Sequence, residues 1–117
     1  MRAVKQNYLR ILRIELEDLQ ADIEHLIEQC RADEKSKQVS EKVILQNLAT
    51  FQNELLGVHA FQKVLDEIDP EQFETLEAMI EHIRSRFQSL IHSHGLVPAL
   101  SIYVNRKLDK VARYVTH

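Results

Sequence analysis

Between Leu9 and Cys30 the apolar residues Leu9, Leu12, Leu16, Leu19, Ile23, Leu26 and Cys30 recur at alternating steps of three and four. That spacing draws one stripe along an α-helix. Glu15, Glu17, Asp18, Asp22, Glu24 and Glu28 fill the positions between, so the stretch predicts an amphipathic helix from about Val4 to about Asp33, roughly 45 Å long at ~1.5 Å per residue. A stripe of that length cannot face water, and the chain must supply or recruit helices to cover it.

Three later stretches have a matching period. After the polar connection Ala32–Gln38, Ser40 is placed to cap a second helix that reaches about Ile68. Its seam is Ile44, Leu48, Phe51, Leu55 and Val58, continued in a shifted phase by Phe61, Leu65 and Ile68, and the shift falls beside Gly57. Glycine inside a helix costs about 1 kcal/mol relative to alanine, which predicts a bend or a close approach of another backbone there. A second stripe of Leu45, Ala49, Leu56, Ala60 and Val64 lies well round from the first. Either this helix is central, or it offers a surface to a second copy of the chain.

Asp69-Pro70-Glu71-Gln72 has the form of a cap, a first-position proline and a capping-box glutamine, and predicts the start of a third helix. Phe73, Leu76, Ile80, Ile83, Phe87 and Leu90 make its seam, and Gly95 ends it. Pro98 opens the fourth and shortest helix, with Leu100, Tyr103, Val104, Leu108, Val111 and Val115 on its buried side. Short connections favour antiparallel neighbours, so the expected fold is all-α, an up-down-up-down antiparallel four-helix bundle forming a single domain over residues 1–117.

Only two Gly and two Pro in 117 residues, with 28 % charged side chains, fit that class, and no run of alternating residues suggests a strand. No apolar run approaches the ~18 residues of a membrane span, and Arg10, Arg13 and Glu15 interrupt any signal-like segment behind the basic N-terminus. Cys30 is the only cysteine and lies on the seam. It is expected to be a small buried hydrophobe in a cytoplasmic protein.

No set of residues declares a reaction. A di-iron bundle needs two Glu-x-x-His units, and the chain has none; Asp22-x-x-His25 with Glu28 lies on the polar side of helix 1. His92 and His94 are two apart in the last turn before Gly95, where they point in different directions. Arg86-x5-His92 has the arginine–histidine spacing of helical ribonucleases of the HEPN type, but the next residue, Phe87, belongs to the seam. There is no nucleophile elbow and no phosphate-binding glycine loop. No metal and no cofactor is expected.

Charge is distributed unevenly. Arg2, Lys5, Arg10 and Arg13 open helix 1, and Arg106, Lys107, Lys110 and Arg113 close helix 4, which the expected topology places alongside. Asp66, Glu67, Asp69, Glu71 and Glu74 reach the same end and are expected to offset much of this charge. The expected function is therefore that of a non-enzymatic interaction, adaptor or regulatory protein, a homodimer through Leu45, Ala49, Leu56, Ala60 and Val64. The first alternative is an anion- or nucleic-acid-binding module using Arg2, Lys5, Arg106, Lys107, Lys110 and Arg113, and the second a metal-dependent or HEPN-like helical enzyme.

Overall fold

The computed structural model describes residues 2–37, 39–96 and 98–116. They form four α-helices, α1 (Arg2–Ser36), α2 (Glu41–Asp66), α3 (Leu76–His94) and α4 (Ala99–Thr116), with a short 3-10 turn at Pro70–Gln72 and no strand among the described residues. The four helices pack as a bundle. Along α1 and α2 the partners meet in reverse order: Arg13 reaches the Leu65 carbonyl at 3.2 Å, while Gln20 meets Gln62 at 3.1 Å.

The ends of the helices follow local chemistry. The Ser40 hydroxyl accepts from the Val43 amide, as expected of a cap. Gly95 sits in the left-handed region at φ 62° and donates to the Ile91 carbonyl. Lys37 takes the same left-handed role after α1, its amide bonded to Asp33 at 3.0 Å.

The start of the third helix differs from expectation. Asp69 caps only the 3-10 turn, Phe73 is extended, and α3 begins at Leu76 under a Thr75 cap that accepts from Ala78 at 3.1 Å. The physical reason lies in α1. The Lys5 ammonium donates to the carbonyls of Pro70 and Phe73, acceptors that an uninterrupted helix would need for its own amides. A long-range contact thus overrode a good local signal.

One contiguous core joins Tyr8, Leu12 and Leu16 of α1 to Phe61 and Leu65 of α2, Met79, Ile83 and Phe87 of α3, and Leu108 and Val111 of α4. At its centre the Phe61 and Phe87 rings meet edge to face, 4.8 Å between centroids. The Tyr8 hydroxyl, buried, donates to the Leu108 carbonyl at 3.0 Å, and burial pushes its pKa up. Gly57 is explained by close approach: a Cβ there would lie 2.4 Å from a Leu100 methyl.

Length decides the overall shape. The 35 residues of α1 run about 52 Å, nearly the 55 Å long axis of the molecule. With 19 and 18 residues, α3 and α4 span only about 28 Å. The contiguous core stops at Leu16 on α1 and resumes at Phe61 on α2. Beyond it α1 and α2 continue as a two-helix arm, with Ile23, Cys30 and Ile44 buried along its own seam. Leu26, a seam position in the sequence, is 39 % exposed there, at a cleft that only the first turns of α4 reach.

Candidate interaction site

Exposed apolar side chains occur at both ends of the molecule: Ile14, Ile102 and Tyr114 on α1 and α4 of the bundle, and a second set on the arm and at its base. Leu26, Val39, Val43, Leu45, Leu56 and Tyr103 all remain open to solvent. Tyr103, expected on the buried side of the last helix, instead stands at the rim of a cleft with Leu26.

The second stripe of α2 divides. Val64 is 1 % exposed and belongs to the core, a correction to its expected place in an interface, and Ala60 is half-buried beside it. Leu90 and Leu96 face that part of the stripe across a shared groove. Leu56, 61 % exposed, lines the same groove beside His94 of the last turn of α3, and beyond it Ala49 is exposed and Leu45 57 % exposed.

The basic end is partly neutralised within the molecule, by Asp66 as expected and by Glu15, which was not among the expected groups. Glu15 of α1 accepts from Lys107 at 2.9 Å and from Lys110 at 2.7 Å. Those two hydrogen bonds, Lys110 first, hold its carboxyl below the usual range. Lys5 is taken by the two carbonyls before α3. Asp66 pairs with Arg13 at 3.8 Å and Glu67 with Arg86 at 3.2 Å, while Arg84 bridges Glu81, Asn105 and Asp109. Of the candidate anion-binding residues, Arg106 and Arg113 alone are exposed without an acidic partner among the described residues. The Arg2 side chain lies outside the described residues. With Arg10, whose only partner among the described residues is Asn7, three guanidiniums at this end lack an acidic partner among the described residues, few for a phosphate backbone, whose binding grows with each neutralised phosphate.

Among the described residues, no three His, Cys, Asp or Glu side chains gather as metal ligands would. Arg86 is engaged by Glu67, and His92 is exposed. His94 shares a hydrogen bond with Ser93. No described helix is long and apolar enough to cross a membrane.

No family model, curated protein or solved structure matches this chain.

A cleft at the base of the arm escaped the sequence reading. It lies where α4 begins, between α1 and α2, with a volume of about 340 Å³. Leu19, Val58 and Leu100 line it, and Asp22 and Glu54 supply its charge. Burial raises the Glu54 pKa. The signal was present: Phe51, Glu54, Val58 and Phe61 follow steps of three, four and three, which places a carboxylate at an apolar position of α2.

Proposed function

We propose that the protein acts by surface interaction rather than by catalysis, and that it associates with a second copy through the uncovered part of the second α2 stripe. The observation that carries this is continuity. The helix face that meets α3 and Leu96 across a groove at Ala60 and Val64 runs on through Leu56, at the groove's open end, to the exposed Ala49 and Leu45. In an antiparallel pairing of two α2 helices, Leu45 of each copy would meet Leu56 of the other, with the small Ala49 allowing close approach. The flanking Gln46, Gln52 and Asn53 carry no charge to oppose it. Buried Cys30 with no second cysteine suits a reducing compartment such as the cytoplasm.

One helix pair buries a modest area, so the dimer is expected to be weak, dissociating at micromolar concentration or above. Light scattering from about 10 µM to about 1 mM should show the molar mass rising toward twice the monomer. Leu56→Asp should hold it at one copy while circular dichroism and the melting temperature stay close to wild type, since this side chain is mostly in water. A wild-type monomer throughout, or global unfolding of the variant, would count against self-association through this face.

A further inference from the structure

We propose that the cleft at the base of the arm, and the trough leading outward from it, binds a basic amphipathic helix of a partner protein. Its apolar side chains would lie on Leu19, Leu26 and Tyr103, and its lysine or arginine side chains would meet Asp22 and Glu54. This does not rest on self-association, which uses a different face of α2.

The place comes from the fold. Within the bundle, α4 packs against α1, as the Tyr8–Leu108 and Glu15–Lys107 contacts show. It starts at Ala99, which lines the cleft, and past that point its line is vacant. On α1 the same face continues at helical spacing through Leu26, Gln29 and Asp33; on α2 the phase of Glu54 continues through Asn47 and Val43. Leu26 and Val43 are 39 % and 42 % exposed. A trough that one helix fills at one end has the width for another beyond it.

The chemistry selects the occupant. Asp22 and Glu54 have no hydrogen bond or ion pair among the described residues, whose ion pairs all lie at the bundle end. Asp22 shares the cleft with the first turn of α4, whose positive end offers it some compensation. Glu54 has none, and its apolar surroundings disfavour its charge. A cation brought in on an aliphatic stem would cover the apolar lining and supply the missing counter-charge together. Residues 17–54 carry nine acidic side chains against four basic ones, so the approach of a cationic segment is favoured at long range. A second copy related by a twofold axis would instead set these carboxylates against each other, which argues against it as the occupant.

The test uses the full chain and two fluorescein-labelled helical peptides, one of leucine and lysine, the other with glutamate at every lysine position. Anisotropy should show the lysine peptide binding and the glutamate peptide not. Asp22→Asn with Glu54→Gln should weaken the lysine peptide about tenfold or more, with the melting temperature maintained. The control is Glu24→Gln with Glu28→Gln, which changes net charge equally on the opposite side of α1 and should leave affinity within about twofold. Amide shifts on binding should centre on Leu19, Leu26, Leu100 and Tyr103. Absence of binding, equal weakening by the two double variants, or shifts centred on Leu45 and Leu56 would each overturn the proposal.

Discussion

The two ends of this molecule are built from the same pair of helices under different conditions. At the bundle end α1 and α2 are covered by α3 and α4, and large side chains such as Tyr8, Phe61 and Leu65 are fully buried. On the arm the same helices cover only each other. Ile44 is as well buried as the bundle core, yet Val43 and Leu45 on either side of it are exposed. A helix buried on one seam keeps its fold through fewer apolar contacts, and segments of that kind open more readily than a closed core. The bundle end closes a core between four helices while leaving Ile14, Ile102 and Tyr114 exposed at its surface; the arm has a single seam and more of its apolar residues stay in water.

Two truncations should break the comparison furthest. Phe61→Ala removes one half of the edge-to-face pair with Phe87 and should cost about 3–5 kcal/mol, seen as a large fall in the melting temperature of the whole molecule. Ile44→Ala should cost about 2 kcal/mol, expressed mainly as faster hydrogen exchange of amides on the arm. If both variants lowered protection equally at both ends, the arm and the bundle would be one cooperative unit.

The ionisable groups sharpen the contrast at smaller scale. Glu15 has a depressed pKa in the folded state through Lys110 and Lys107. Its contribution is therefore present at neutral pH and is lost as pH falls from the ordinary carboxylate range through the folded value. Glu15→Gln should cost about 1 kcal/mol at pH 7, and the difference from wild type should close in acid. Glu54, whose pKa is raised, has the opposite sign. Its penalty is absent below the ordinary carboxylate range, grows as pH rises toward the folded value and is complete above it. Glu54→Gln should thus raise the melting temperature at pH 7 by about 2 °C and have no effect in acid. Thermal melts of both variants across pH 3–8 check the two signs together. A residue that stabilises the chain when neutralised, yet is needed for ligand, is what a binding group held at some cost to the fold looks like.

Much of the architecture was legible in the sequence. Period-3.6 seams located all four helices, and Ser40, Gly95 and Pro98 marked three boundaries, because caps and breakers act within a few residues. Gly57 announced a close approach without naming Leu100 as its cause. The misplaced start of the third helix had a readable competitor in Thr75, but the deciding group, Lys5, is 65 residues from Pro70 in the chain. Neutralisation of Lys107 and Lys110 by Glu15 is likewise a contact across more than 90 residues.

The sequence by itself determined where helices form and which stripe of each is apolar, since periodicity and capping are properties of neighbouring residues. Only the tertiary structure decided which apolar positions are used. Leu26 and Val64 both lie on apolar stripes, but Val64 is 1 % exposed near Leu90 of α3, whereas Leu26, at a cleft that only the first turns of α4 reach, is 39 % exposed. Coverage depends on where one helix ends against another, and the short α3 and α4 stop partway along α1 and α2. The cleft with Asp22 and Glu54 exists for that reason.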